Sequence, residues 1–149
     1  MENNNPLQSE NHASLRLGRL ILQLRRLEST PRTFGRAGAL TPSEIHTIDA
    51  IGTDEGLLMK ELAERLGVTK GAVSQLVDRL EAKALVRRTA HPKVSRGIQV
   101  VLTDKGREAY RAHADMHAAF YEELQQSFTK EEIAIFEQCV SKLRDILSE

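Results

Sequence analysis

The chain contains little that would crosslink it or anchor it. It has one cysteine, four prolines, no tryptophan and only six other aromatic residues among 149. A single cysteine excludes an internal disulfide framework and is typical of a reducing compartment. No apolar run is long enough to span a bilayer, and the N-terminal segment lacks the basic-then-apolar pattern of a secretory signal. We therefore expect a cytoplasmic protein.

An excess of charge of either sign is also missing, because 21 Lys and Arg balance 21 Asp and Glu. The balance is uneven along the chain. Residues 60–107 contain eleven basic and five acidic side chains, a net charge of +6, so the rest of this neutral chain carries −6. A basic middle between acidic ends indicates that the middle contacts a polyanion, although a solvated charged surface would give the same count.

Helical periodicity predicts that most of the chain is α-helical. Apolar residues spaced by three and four predict a first helix over 13–29. Thr41–Glu44, "TPSE", has the pattern of a capping box that starts a second helix, and Gly52 ends it. Thr103 starts a long helix, and a second capping box at Thr129–Glu132 starts the last one.

The segment Glu61–Leu80, "ELAERLGVTKGAVSQLVDRL", fits a helix-turn-helix. Its apolar positions pack one helix on the other, and Gly67 allows the tight turn between them. The second helix then exposes donors and acceptors that suit the edges of bases in a major groove. These side chains belong to Thr69, Lys70, Ser74, Gln75, Asp78 and Arg79.

A basic hairpin follows and distinguishes this segment from an ordinary pair of packed helices. Two stretches of strand composition over about 85–102 flank the tip "HPKVSR", in which His91 is interpreted as solvated. The hairpin carries four cations that can reach phosphates or the minor groove: Arg87, Arg88, Lys93 and Arg96. We therefore predict a mainly α fold with a small β wing, a winged helix-turn-helix with terminal dimerisation helices.

This arrangement resembles the MarR family of transcription regulators over nearly the whole chain. The resemblance includes "LT" at Leu40–Thr41, the helix-turn-helix, the wing and "LTDKG" at Leu102–Gly106. It implies one domain over 1–149, with a winged helix-turn-helix over 41–102 and dimerisation helices over 13–29 and 104–148. A homodimer would then present two recognition helices, the second helix of each helix-turn-helix, to a pseudo-palindromic double-stranded operator. The regulator would act as a repressor.

Apolar stripes at both ends of the chain favour the dimer independently, because outlying helices need a surface to bury against.

One position departs from the family pattern. Family wings often carry an aspartate two residues before the tip arginine, and here Val94 precedes Arg96.

Two histidines, His113 and His117, lie four residues apart on what is otherwise an apolar face of the long helix. Both are expected to point inward, where such residues commonly serve the core or an interface, and their spacing also suits a shared metal. The chain resembles the zinc-sensing branch of the family, and this resemblance implies two further ligands, Glu28 and His46. Three imidazoles and one carboxylate favour tetrahedral zinc. A second metal site is not expected, because Ile45 stands where that branch has a glutamate.

Other functions fit less well. The same fold could respond to a small aromatic or amphipathic effector instead of a metal. A thiol sensor is not favoured, because Cys139 is expected to lie in a core. The chain shows no nucleophile elbow, phosphate loop or HExxH pattern, so we do not expect an enzyme. Zero net charge argues against a DNA-packaging protein.

Overall fold

In the computed structural model the described residues run from 6 to 147, and side chains are described from residue 14 onward with the exception of Glu28. Besides one 3-10 turn at Gly35–Ala37, this part of the chain forms six α-helices and five short strands. In chain order they are α1 (Pro6–Ser29), β1 (Arg32–Thr33), β2 (Ala39–Leu40), α2 (Pro42–Ile51), β3 (Leu57–Leu58), α3 (Met59–Leu66), α4 (Lys70–Ala82), β4 (Val86–Ala90), β5 (Ile98–Leu102), α5 (Asp104–Ser127) and α6 (Lys130–Leu147). The predicted class, mainly α with a small β wing, is confirmed.

The chain divides into two compact units. The first ends at Tyr110 and the second begins at Arg111, within α5. The single domain predicted over 1–149 stays a prediction, because the division separates packing units and does not show independent folding. Within the described residues, no helix combines the length and the apolarity that a membrane crossing requires.

The core of the first unit is formed by α2, α3, α4 and the strands that follow them. Helical spacing places three isoleucines of α2 on its buried side, and α4 buries its own stripe in the same way. The strands contribute alternating residues to the same core. The fully buried large side chains of this core include Ile48, Leu62, Val73, Val77, Leu80, Leu85, Val86 and Val100.

The helix boundaries follow the local signals in the sequence. The Thr41 side chain accepts a hydrogen bond from the Glu44 amide, and the Glu44 carboxylate accepts one from the Thr41 amide, so the predicted capping box is formed. The predicted turn is also present, because Gly67 ends α3 with a φ of 63°, a conformation that favours glycine. The hydroxyl of Thr69 then accepts from the Ala72 amide and caps α4.

A three-stranded antiparallel sheet, in the order β3-β5-β4, makes up the wing and its root. Val86 pairs with Leu102 and Ala90 with Ile98, which sets the hairpin register. The third strand, β3, and the small β1-β2 pair were not predicted. Each of these strands has only two residues, too few to show the alternation that identifies a strand.

The "LTDKG" motif joins α5 to the turn after α4. The Thr103 amide donates to the Leu85 carbonyl at 3.0 Å, and its hydroxyl donates to the Ala84 carbonyl at 2.7 Å. A Cβ on Gly106 would lie 2.0 Å from the Leu85 carbonyl oxygen, so only glycine permits this approach. The motif therefore fixes where α5 leaves the winged helix.

The last helix, α6, has no buried residue in the part of the chain that the structure describes. Its large apolar side chains, such as Phe136, Val140 and Leu143, are about half exposed or more. Cys139 is exposed with them. The expectation that Cys139 lies in a core was therefore wrong for the single chain, because the described apolar side chains of the stripe around it are themselves exposed.

Candidate nucleic-acid interface and histidine pair

The outer face of α4 carries the side chains that the sequence assigned to it. Lys70, Gln75 and Arg79 are exposed, and Ser74 is partly covered. On the opposite face Val73, Leu76, Val77 and Leu80 are buried. The amphipathic pattern of α4 thus presents a polar ridge to solvent and holds it rigidly from behind. Thr69 is exposed at the beginning of this ridge, where its side chain is already engaged as the cap.

The tip of the wing is organised by His91. Its Nδ1 accepts hydrogen bonds from the amides of Lys93 and Val94, both at 3.0 Å, and its own amide donates to the Gly97 carbonyl at 2.8 Å. The tip places Lys93 and Arg96 in solvent, Arg96 with a positive φ of 57°. His91 was interpreted as solvated, but it caps this turn. The signal in the sequence was a side chain with an acceptor atom two residues before the amide it binds, the position that Asn or Asp takes in an Asx turn.

The two arginines of β4 face different surroundings. Arg87 is exposed, whereas the side chain of Arg88 is only 25% exposed. Successive side chains of a strand point to opposite faces, which separates the two. The Arg88 guanidinium lies against α4, where it donates to the Asp78 carboxylate at 2.6 Å, forms an ion pair with Glu81 and approaches the Ser74 carbonyl at 3.4 Å.

Electrostatics at this contact keep Arg88 charged. Burial alone would lower the pKa of Arg88, but the hydrogen bonds and charges of Asp78 and Glu81 outweigh it and raise that pKa. Asp78, predicted to face the groove, is thereby also a partner of the wing. Of the cations predicted to contact DNA, Arg88 is the one whose described contacts are to acids of its own chain.

The two histidines of α5 approach one another closely within the second unit. His113 Nε2 and His117 Nε2 are 3.1 Å apart, and the rings meet edge to face with their centroids 4.4 Å apart. His113 is buried, with 4% of its surface exposed, as predicted. His117 is exposed, so the expectation that both point inward was wrong for His117, which lies one turn further along where α5 is open to solvent.

The geometry of the pair fits a shared metal ion. Two nitrogens bound to one tetrahedral zinc at ~2.0–2.1 Å lie about 3.3 Å apart. The observed 3.1 Å is close to that value and also suits a hydrogen bond between the two rings, so the pair can serve either purpose.

The other predicted ligands belong to the first unit. His46 is exposed on α2, on the side away from the buried Ile45 and Ile48, as expected from its position. Asp49 follows His46 by three residues and therefore shares its side of the helix. The side chain of Glu28 lies outside the described residues, and its predicted role as a ligand stays a prediction.

The winged helix of this chain is similar to that of known proteins. Residues 40–97 match the model of the MarR family, a span that runs from the "LT" before α2 through the helix-turn-helix to the wing tip. Over this stretch the chain is similar to the MarR family. The predicted resemblance to the MarR family and the winged helix-turn-helix fold are thus confirmed, and the proteins that this chain matches are regulators of transcription, not enzymes, as predicted.

Two solved structures share the fold over almost their full length. One is FabT of Streptococcus pneumoniae in complex with DNA, with 26% identity, a TM-score of 0.69 and coverage of 96% of both chains. Another is YusO of Bacillus subtilis, with 26% identity, a TM-score of 0.66 and coverage of 97% of this chain and 99% of that one.

The curated relatives match over a shorter stretch. The HTH-type transcriptional repressor MdtR of Bacillus subtilis (strain 168) is 37% identical over 67 residues, which is 45% of this chain and 43% of MdtR. The chain spans about half the length of the curated relatives it matches first.

Proposed function

We propose that the protein is a sequence-specific regulator that binds a double-stranded operator as a homodimer and represses transcription. The observation that carries the proposal is the exposed ridge of Lys70, Gln75 and Arg79 on a helix whose other face is buried. A rigid amphipathic helix of this kind fits the major groove of B-DNA. Such a regulator acts where the chromosome lies, and we propose that this is the cytoplasm.

The side chains of the ridge have the chemistry that reads bases. A glutamine amide can bond adenine through N6 and N7, and an arginine can bond guanine through O6 and N7. Gln75 and Arg79 lie four residues apart, on neighbouring turns of one face of α4. Thr69 and Ser74 supply shorter polar groups, and Lys70 a cation for phosphate. Lys93 and Arg96 extend the contact along the DNA, where phosphates and the minor groove are in reach.

A second copy of the chain is the proposed partner of the terminal helices. The stripe of α1 formed by Leu17, Leu20, Ile21, Leu24 and Leu27 is about half exposed, and α6 exposes a stripe of its own. Exposed apolar surface of this extent marks an interaction site. A two-fold pair would set two copies of α4 about one DNA turn, ~34 Å, apart, which implies a pseudo-palindromic operator.

Zinc is the effector that we propose, held by His113 and His117 together with His46 and Glu28. The close approach of the two Nε2 atoms supports the proposal. Bound zinc would supply a fixed link among ligands from α1, α2 and α5, and so favour one arrangement of the recognition helices. Neutral imidazoles are the metal-binding form, so loading weakens as the pH falls.

A groove in the second unit favours a second candidate effector, a small aromatic or amphipathic molecule. Its volume is 480 Å³, within the range of ligand pockets. Apolar side chains of Phe128 and Ile133 line it beside the Tyr121 hydroxyl, which donates to the Glu137 carboxylate at 3.1 Å. The hydrogen bond to Glu137 raises the pKa of Tyr121, so the hydroxyl remains a neutral donor.

Selection of duplexes from a random pool, followed by affinity measurement, tests the proposed DNA binding. We expect the wild-type dimer to enrich one pseudo-palindromic sequence. Arg79→Ala should weaken binding to it by about 1–3 kcal/mol per base contact and relax the preference at one position of each half-site. Arg111→Ala removes an exposed cation of α5, which belongs neither to α4 nor to the wing, and serves as the control. Enrichment of no sequence, or equal losses in the two variants, would contradict the proposal.

A further inference from the structure

Three acceptors on α4 converge on one side chain of the wing. Ser74, Asp78 and Glu81 are spaced by four and three residues and so share a side of the helix. The Arg88 guanidinium donates to the Asp78 carboxylate at 2.6 Å and to the Ser74 carbonyl at 3.4 Å, and it forms an ion pair with Glu81. The two contacts to carboxylates join charged groups and belong to the stronger class of hydrogen bonds, whereas the longer contact to the Ser74 carbonyl is weak.

The backbone of Arg88 is engaged at the same place. Its amide donates to the second carboxylate oxygen of Glu81 at 3.2 Å. Strand β4 lies at the edge of the sheet, so the outward amides of this strand need a partner other than a strand. Glu81 therefore binds both the edge of the wing and the side chain that projects from it, and α4 and β4 are tied together at two points.

We infer that Arg88 is a positioning residue that sets the wing against the recognition helix, and that it is not a phosphate contact. The inference rests on the proposed DNA-binding function. Its guanidinium fork is directed at two carboxylates of its own chain, and turning it to DNA would leave Asp78 and Glu81 facing a polyanion with no cation between them. The neighbouring Arg87 is exposed and free of this role, which makes it the matched control.

The test compares Arg88→Met with Arg87→Met in the full-length protein. Affinity for the duplex that the wild type enriches, and for a scrambled duplex, is measured across a range of salt concentrations. Loss of one phosphate contact per protomer reduces the log–log salt slope of a dimer by about 1.8, at roughly 0.9 per phosphate. We expect that reduction for Arg87→Met. For Arg88→Met we expect an unchanged slope and a fall of about ten-fold or more in the ratio of selected to scrambled affinity.

A double-mutant cycle adds a second readout. If Arg88 acts through α4, Asp78→Asn alone should also lower the ratio of selected to scrambled affinity. In the double variant, Arg88→Met with Asp78→Asn, this ratio should fall by less than the product of the two single effects. Should Arg88→Met fail to fold, the variant Asp78→Asn/Glu81→Gln decides, because it retains Arg88. Positioning predicts a lower ratio, whereas a phosphate contact predicts tighter binding to both duplexes alike.

Results that contradict these expectations show whether the role of Arg88 or the DNA-binding function is at fault. An Arg88→Met slope reduced as much as that of Arg87→Met, an unchanged ratio, or independent effects in the cycle would overturn the role of Arg88 alone. Wild-type protein that enriches no duplex would overturn the DNA-binding function, and the role of Arg88 with it.

Discussion

At the scale of single side chains, the approach of His113 to His117 has two physical meanings. A hydrogen bond between the rings requires a proton on one Nε2, whereas a shared metal requires a lone pair on both. The distance of 3.1 Å satisfies either. A chelator distinguishes the hydrogen bond from the metal site, because only a metal site changes when the ion is removed.

Removal of metal should weaken operator binding. We expect protein purified without chelator to carry about one zinc per chain, since four protein ligands would close a tetrahedral site. His113→Ala and His117→Ala should each abolish both the bound zinc and the effect of chelator on affinity. Elemental analysis and DNA binding with and without chelator measure this. His12→Ala, which removes a histidine that belongs neither to the proposed ligand set nor to the wing, is the control.

A protein that binds its operator equally well with and without chelator would rule out zinc control and favour the organic effector. The identity of the carboxylate ligand can be read from the same assay. Glu28→Gln tests the residue implied by the family resemblance, and Asp49→Asn tests the acid that shares the His46 side of α2.

At the scale of elements, the beginning of α2 is tied to the end of α4 through Glu44. This carboxylate is buried, with 2% of its residue surface exposed, and it accepts bonds from the Thr41 amide at 2.8 Å and from the Lys83 ammonium at 2.8 Å. Burial would raise the pKa of Glu44, but the bonds from Lys83 and Thr41 together outweigh burial and lower it. The ionised form therefore stabilises the fold.

Lys83→Met should reduce the free energy of unfolding at pH 7 by about 1–3 kcal/mol, because a buried carboxylate loses a charged donor. The folded pKa of Glu44 lies below its ordinary value of 4.5, so its contribution is complete above that value and is lost as the pH falls through the folded pKa. The difference between the two proteins should therefore shrink in acid. Urea unfolding at fixed protein concentration, at neutral pH and well below pH 4.5, measures it.

Lys60→Met is the matched control for that experiment. Its exposed pair with Glu64, at 3.7 Å on the surface of α3, should contribute under about 0.5 kcal/mol at either pH. A Lys83→Met effect that stays constant with pH would show that lost packing of the lysine stem, and not the charge of Glu44, is responsible.

At the scale of the whole molecule, the described residues of α1 and α6 each expose an apolar stripe that a self-sufficient monomer would bury. Leu24 on α1 and Phe136 on α6 are each about half exposed, as are the neighbours that complete each stripe. Burial of such side chains against a second copy stabilises by roughly 25 cal/mol per Å² of apolar surface. The proposed dimer would place them, and Cys139, out of water.

Phe136→Glu should therefore convert the proposed dimer into a monomer at micromolar concentration, because the charge would have to be buried without a partner. Operator affinity should fall with it, since one protomer presents only one α4. Analytical ultracentrifugation measures the first effect. Gln138→Glu adds the same charge to another side of α6 and should remain dimeric. A monomeric wild type would refute the proposed assembly.

Much of this architecture follows from local chemistry. Residues that act within one helical turn set the bounds of α2, the turn at Gly67 and the start of α4. The positions of these features could therefore be predicted from spacing and capping alone. The two-residue strands could not, because their formation depends on partners distant in the chain. β3, for example, exists only where Leu57 meets Val100.

The amino-acid order was thus sufficient for the class of fold, the recognition helix and the basic wing, because periodicity, caps and glycine turns act over short distances. Packing between elements decided the rest. Nothing in "LVRRTA" distinguishes the arginine that faces solvent from the one that α4 holds through Asp78 and Glu81. That difference arises only once β4 lies along the helix, because ion pairs depend on separation in space and not on separation along the chain.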